Sequence, residues 1–300
     1  MMLVVDHVRK SFGTVEAVRD VAFSVEAGSA FGLLGPNGAG KTTTMRMILG
    51  IYVPDGGTIT WRGAPVTEHS RKRFGYLPEE RGLYPQIRVR DQIVFFARLH
   101  GMHEPVARRA ADAWIERLEL SQYALRPCAE LSKGNQQKVQ VACAAAFEPE
   151  LMILDEPFSG LDPVNAELLA DVLRELRDRG VTMVFSSHQM WQIEELCSAV
   201  CIIANGANRI AGRIADLRAQ WPTRSLRVAP ASEAASAVLA RIPGAHPPVR
   251  VDGAIECTVP AQTDFSAVLR ELVSADSVTT FDARPPSLHD IYLHAVEVSA

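Results

Sequence analysis

The sequence predicts an α/β fold built on a largely parallel sheet, followed by a small α+β unit. Three observations predict it. Short apolar runs alternate with amphipathic helical segments through the first two thirds of the chain. One such run, Ala30–Leu34, passes directly into the glycine-rich turn Gly35-Pro36-Asn37-Gly38-Ala39-Gly40-Lys41-Thr42, after which the apolar period becomes helical. Beyond about residue 215, alanine, valine and proline rise and no site motif appears. That shift divides the chain into a first domain over residues 1–215 and an accessory domain over 216–300.

Each element has its own signal. Residues 3–8 and 21–25 are apolar and β-branched, as strands require. After the glycine turn, Met45, Met47, Ile48 and Leu49 keep helical spacing until Gly50. Pro54-Asp55-Gly56-Gly57 is a turn, and residues 58–61 form another strand. From about 87 to 145 the chain reads as helical: Val89–Leu99 and residues 105–118 carry apolar residues three and four apart. Residues 151–154 make a buried strand ending in Asp155-Glu156-Pro157. A helix over 166–176 follows, then a second buried strand over 181–185 that ends at Ser186-Ser187-His188. In the accessory domain strands are expected over 225–228, Val249–Val251, 256–259 and 278–281, with helices near 232–241 and 264–274 between them. That order gives a β-α-β-β-α-β unit with a closing helix over 286–296.

Composition excludes several classes. An apolar fraction of 47% and a charged fraction of 22% argue against disorder. A formal charge of −4 gives no support to a nucleic-acid partner, which needs a basic face. The five cysteines are odd in number and contain no Cys-x-x-Cys pair, so buried thiols in a reducing cytosol are the preferred reading over a metal site. No stretch approaches the roughly 20 apolar residues needed to span a bilayer. Asp6 and His7 stop the first apolar run too early for a signal peptide. Any membrane role is therefore expected to be borrowed from a partner.

The turn carries the strongest chemistry. Gly35-x4-Gly40-Lys41-Thr42 lies between a strand and a helix, as a P-loop requires. Its glycines let successive N–H groups face one point, where phosphate oxygens sit, and the helix beginning near Thr42 and Thr43 adds its positive end. Lys41 is expected to reach the β- and γ-phosphates, and Thr42 to offer its hydroxyl to Mg2+. The run 151–157 delivers two carboxylates at the C-terminal end of a strand, where open α/β sheets place ligands. Asp155 suits a magnesium shell, and Glu156 suits the base that polarises an attacking water. The competing reading of the pair is a helix cap.

With these residues the sequence resembles the ATP-binding cassette, or ABC, ATPases over residues 3 to about 215. Leu131-Ser132-Lys133-Gly134-Asn135-Gln136-Gln137 stands where that family has its signature, usually Leu-Ser-Gly-Gly-Gln. Ser159-Gly160-Leu161-Asp162 is similar to its D-loop, and His188 sits at the place of its switch histidine. The resemblance implies an antiparallel β subdomain and a helical insert over about 80–145 within the first domain. It also implies two cassettes closing head to tail, with ATP between one P-loop and the other signature. Ser132 and the N–H of Gly134 then approach the γ-phosphate, His188 senses it, and Asp162 passes that state across the interface. Phe12 stands where an aromatic ring stacks on adenine, with ordinary packing as its other reading.

Three positions depart from the pattern. Lys133 replaces a glycine and Asn135 replaces a glutamine. Glu79, in Gly75-Tyr76-Leu77-Pro78-Glu79, stands where many relatives have glutamine. A carboxylate there is able to bind Mg2+ or its water, and a solvent-exposed loop acid is the alternative.

Among the family's roles the resemblance favours the exporter ATPase. The insert of about 50 residues between Glu79 and Leu131 suits docking of the cytoplasmic loops of a separate transmembrane permease subunit. The stretches from Tyr76 to Tyr84 and Leu131 to Lys138, and the tail Pro286-Ser287-Leu288-His289-Asp290-Ile291-Tyr292-Leu293, are similar to subunits of drug, antibiotic or sodium exporters. The engine is expected to be two copies of this chain, or this chain with a paralogous ABC subunit, on the cytoplasmic face of the cell membrane. A soluble ABC protein of DNA repair or translation is the alternative. One P-loop, no long heptad run and no basic patch weigh against it. A P-loop GTPase would need an Asn-Lys-x-Asp motif, which the sequence lacks.

Overall fold

Leu3, Val5 and Val8 are buried along the first strand, while Asp6 and His7 between them face outward. The two-residue step is broken at His7, whose φ of 47° accompanies a register shift against the next strand. The structure is a computed structural model that describes residues 2–80, 82–187 and 189–297. Strands Leu3–Phe12 (β1) and Val15–Val25 (β2) form an antiparallel hairpin that turns at Gly13, φ 59°. Ala30–Leu34 (β3) is buried throughout and leads to the helix Lys41–Ile48 (α1). That helix ends in a Schellman motif: Gly50, φ 64°, donates to the Met47 carbonyl, and Ile51 donates to the Arg46 carbonyl, each at 2.9 Å.

Gly56–Trp61 (β4) and Ala64–Pro65 (β5) follow, then a single capped turn, Glu68–Arg71 (α2), and Phe74–Leu77 (β6). Val89–Leu99 (α3), Glu104–Arg117 (α4) and Lys133–Ala145 (α5) pack on one another as a helical insert. Leu151–Asp155 (β7), Pro163–Asp178 (α6), Thr182–Ser186 (β8), Met190–Leu196 (α7), Ala199–Ala204 (β9) and Ala207–Arg213 (β10) complete this part.

The ten strands form one sheet in the order β5-β4-β1-β2-β10-β9-β3-β8-β7-β6. It is mixed, a parallel part joined to the expected antiparallel β arm. Parallel pairing runs through β9-β3-β8-β7-β6, and β1, β2, β4 and β5 pair antiparallel. The difference lies in the connections: a two-residue turn allows only an antiparallel neighbour, whereas β7, β8 and β9 follow long crossovers. Strands β3, β7 and β8 are buried along their whole length, as strands covered on both faces are. Leu3, Val5 and Val8 share a core with Met45 and Ile48 of α1, and with Trp61 and Phe74. That shared core seats α1 against the antiparallel arm.

The chain divides into two compact units, the second being Ile214–Leu293. Its elements are Ile214–Gln220 (α8), Thr223–Ala229 (β11), Glu233–Ala240 (α9), Val249–Val251 (β12), Ala254–Pro260 (β13), Phe265–Ala275 (α10) and Thr280–Arg284 (β14), followed by Leu288–Glu297 (α11). The sheet order β12-β13-β11-β14 with antiparallel neighbours is that of a split β-α-β ferredoxin-like unit. Leu226, Val228, Val238, Leu239, Ile255, Val259 and Leu272 form its core. Ser232 and Asp264 cap α9 and α10 by accepting from N–H groups of their first turns.

All five cysteines are free and buried. Burial pushes the Cys128 thiol up to about 11 and that of Cys201 up to about 12. Among the described residues no helix is long and apolar enough to cross a membrane.

Candidate functional site

The glycines of the turn are there for steric reasons. A Cβ on Gly35 would lie 2.2 Å from the Ile203 carbonyl oxygen, and one on Gly40, φ 106°, would lie 2.6 Å from that of Ala17. Gly38, φ 78°, turns the loop in open space. Pro36 accepts the N–H of Ala39 at 3.1 Å, while Asn37 is exposed at the tip. The first helical bond of α1 runs from the Thr44 N–H to the Gly40 carbonyl at 2.9 Å. The N–H groups of Lys41, Thr42 and Thr43 therefore lie ahead of it, at the positive end of the helix. Lys41 Nζ folds back over the loop and donates to the carbonyls of Gly35 at 2.8 Å and Pro36 at 3.1 Å. Burial lowers its pKa, and the charges of Glu156, Asp155 and Glu79 oppose that shift.

Asp155 ends β7, only 1% exposed. Its Oδ2 accepts the Thr42 hydroxyl at 2.8 Å, and its Oδ1 accepts the Ser186 hydroxyl at 2.6 Å. A buried carboxylate needs such donors, since burial without them is costly. Parallel pairing of β7 with β8 sets Asp155 directly opposite Ser186. At Glu156 the chain leaves the strand with φ 53°, a left-handed conformation that costs a bulky residue about 1–3 kcal/mol. Two side chains brace that turn. The Glu156 N–H donates to Ser186 Oγ at 3.1 Å, and Gln137 Nε2 donates to the carbonyls of Glu156 at 3.4 Å and Pro157 at 2.8 Å.

The donor set fits a hard divalent cation. Thr42 and Asp155 present hydroxyl and carboxylate oxygens side by side. Among the described residues no group of three or more His, Cys, Asp or Glu could enclose a metal ion. An ion held here would complete its shell from phosphate and water, the habit of Mg2+.

Glu79 is exposed on the loop after β6, whose Leu77 pairs with Leu154 of β7, so both strands end on the same side. It reaches the site as a charge that favours protonated Lys41. Phe12 ends β1, 43% exposed. The Tyr52 ring meets it edge-on at 5.1 Å, and the Lys10 ammonium sits over it at 5.7 Å. Tyr52 in turn accepts from Arg46 of α1 at 3.3 Å, which ties Phe12 to the glycine-rich turn's helix.

A second group meets around Gly160. Ser132 caps α5, accepting the Asn135 N–H at 3.3 Å. A Cβ on Gly134 would lie 3.4 Å from the Gly160 carbonyl and from Leu161. Asp162 caps α6 by accepting the Asn165 N–H at 3.0 Å, and that bond lowers its pKa. Asn165 Oδ1 accepts Lys138 Nζ at 2.8 Å, joining α5 to α6. His188 lies outside the described residues.

Sequence reasoning missed Ser186, Gln137, Lys138 and Asn165. Ser186 had a signal: a hydroxyl closing an otherwise apolar strand, beside a strand that closes in a carboxylate. Gln137 and Lys138 close the signature stretch on the buried helix α5 and Asn165 lies in the first turn of α6, and their roles are set by contacts with other elements.

Comparisons with known proteins found family models and relatives that cover most of the chain. A family model described as "ABC transporter" matches residues 18–159, and one described as "ATP-binding protein DrrA1-3-like, C-terminal domain" matches residues 212–296. The chain is 40% identical over 300 residues to an uncharacterized ABC transporter ATP-binding protein, YhaQ, of Bacillus subtilis (strain 168), covering 98% of each. It is 39% identical over 203 residues to the Nod factor export ATP-binding protein I of Burkholderia orbicola (strain AU 1054), covering 67% of each. A solved structure described as the ATP-binding subunit of an ABC transporter superposes with a TM-score of 0.68 at 31% identity, over 73% of this chain and 93% of the other.

Proposed function

Because this chain belongs to the ATP-binding proteins of the ABC transporter family, we propose that it hydrolyses ATP with Mg2+ to drive an exporter whose membrane-spanning part is a separate permease subunit. The observation that carries the reading is the meeting of Thr42 with Asp155 at 2.8 Å, beside Lys41, at the strand ends where the left-handed Glu156 follows.

In this reading the N–H groups from Gly38 to Thr43 receive the phosphates, and Lys41 exchanges the Gly35 and Pro36 carbonyls for phosphate oxygens. Thr42 and Asp155, with Glu79 near enough to add charge, would hold Mg2+, which would supply charge neutralisation for the phosphates. Glu156 takes a proton from the attacking water as its oxygen bonds to the γ-phosphorus and the bond from that phosphorus to the ADP oxygen breaks, giving ADP and phosphate. Phe12, held edge-on by Tyr52, receives the adenine.

Ser132, Gly134, Asn135 and Asp162 serve the partner cassette, which is a second copy of this chain or a paralogue. Gly134 beside Gly160 supports a signature and D-loop that move as one. His188 keeps the role of γ-phosphate sensor that its place in the sequence implies. An exposed aromatic cluster on the helical insert, Tyr84 with Phe95 and Phe96, supports docking of the permease's cytoplasmic loops, which sets the chain on the cytoplasmic face of the membrane. Similarity to a Nod factor export protein supports the export direction.

The test is purification of the tagged chain from membranes in mild detergent, with phosphate release measured alongside. A polytopic membrane protein should accompany a Mg2+-dependent ATPase. Recovery with ribosomes or DNA and no membrane protein would overturn the reading.

A further inference from the structure

We propose that Ser186 is a positioning residue for ATP hydrolysis, one hydroxyl that sets both the direction of Asp155 and the backbone turn at Glu156. The inference rests on the ATPase reading of the site and adds to it a residue outside the family motifs. Ser186 Oγ donates its only proton to Asp155 Oδ1 at 2.6 Å and accepts the Glu156 N–H at 3.1 Å. Both partners are consecutive acids of different proposed duty, so a single oxygen fixes them relative to each other.

Two physical features make that bridge consequential. Rotation of a carboxylate about its last bond is broad and weakly restrained. Asp155 is held from two sides, by Thr42 on Oδ2 and by Ser186 on Oδ1. Ser186 holds the other carboxylate oxygen, so its bond does not depend on what the Thr42 hydroxyl does. At Glu156 the left-handed φ takes the N–H out of the regular strand ladder, and Ser186 is the acceptor that receives it. The β7–β8 register provides this placement: the pairs before it, Ile153 with Val184 and Leu154 with Phe185, are apolar, and Asp155 with Ser186 closes the ladder. Ser186 is fully buried, which keeps water from replacing either bond.

The test compares the full-length parent with Ser186→Ala and Ser186→Thr. Measurements are binding of a fluorescent ATP analogue in EDTA and in Mg2+, the Mg2+ concentration at half-maximal effect, kcat, KM and the thermal midpoint. In Ser186→Ala, metal-free binding should stay within about twofold, because the P-loop donors are untouched. The Mg2+ midpoint should rise and kcat should fall, each by about tenfold to a hundredfold, the usual loss when a group orienting a metal ligand is removed. Ser186→Thr, which keeps the hydroxyl, should restore both. Parental Mg2+ midpoint and kcat in the alanine variant would overturn the proposal. So would equal losses in both variants that track the thermal midpoint, since packing would then be the whole role. A parent without Mg2+-dependent hydrolysis would instead overturn the reading of the site, and that control is measured before either variant.

Discussion

The hydroxyl of Thr42 stands 2.8 Å from Asp155 Oδ2, a contact between residues 113 positions apart. Alone, the glycine turn and the start of α1 make an anion nest of N–H groups. In the proposed function the buried carboxylate adds a place for a cation beside it, and Glu156, next in the chain, serves as the base. The site therefore separates into parts that fail differently when each is removed.

Glu156→Gln should lower steady-state phosphate release by about 10²–10⁴-fold, since the amide keeps the shape but takes no proton from water. ATP affinity should remain near parental in analogue titrations. The ATP-loaded dimer should accumulate in sedimentation. Turnover at the parental rate would show that the base lies elsewhere.

Lys41→Ala should weaken nucleotide binding by about tenfold to a hundredfold, the usual worth of a hydrogen bond from a charged donor. Hydrolysis should stop. The thermal midpoint of the nucleotide-free protein should change little, because burial of the ammonium offsets its two carbonyl hydrogen bonds. Unchanged affinity would count against the assignment of the turn.

Ser132→Arg should block hydrolysis while sparing nucleotide binding by the monomer, since Lys41 and Thr42 are untouched. Mixing it with Lys41→Ala chains places both lesions on one composite site and leaves the other intact. Partial activity should reappear wherever one intact site can fire alone. Parental turnover per chain under conditions where sedimentation shows only monomers with ATP would exclude the shared site.

Gly75→Ala tests the join between the sheet and the helical insert. The new Cβ would lie 2.3 Å from the Ala144 carbonyl oxygen at the end of α5. Overpacking of this kind costs about 1–3 kcal/mol, which should appear as a drop of several degrees in the thermal midpoint. Gly82→Ala, whose Cβ would meet only Pro78, at 3.7 Å, among the described residues, is the matched control and should leave the midpoint unchanged.

What the sequence disclosed was local. The glycine turn, the apolar run ending in Asp155 and the short strand Ala30–Leu34 are contiguous patterns, and each carries its own steric or solvation reason. What escaped was set by pairing across the chain. Strand β10, Ala-Asn-Arg-Ile-Ala-Gly-Arg, has too little apolar alternation to declare itself and is held by its antiparallel partner β9. The second half of β1, Arg9 to Phe12, is polar and mostly exposed, yet it continues as a strand because β2 pairs with it. The family resemblance singled out Phe12, but the restraint of its ring by Tyr52 depends on a tertiary contact. Ser186 is the same case in miniature: its meaning lies in the residue opposite, 31 positions away.

The buried cysteines supply an internal clock. Alkylating reagents react with thiolate, and burial holds all five thiols above their ordinary pKa, so the native protein should resist them near neutral pH. Modification then proceeds only through opening of the surrounding structure. Cys257 lies in the core of the second unit, and Cys128, Cys143, Cys197 and Cys201 lie in the first. Mass-resolved alkylation of the unmodified chain thus times the breathing of each unit separately, and nucleotide should slow the four-thiol signal while leaving the pace of Cys257 as its own reference.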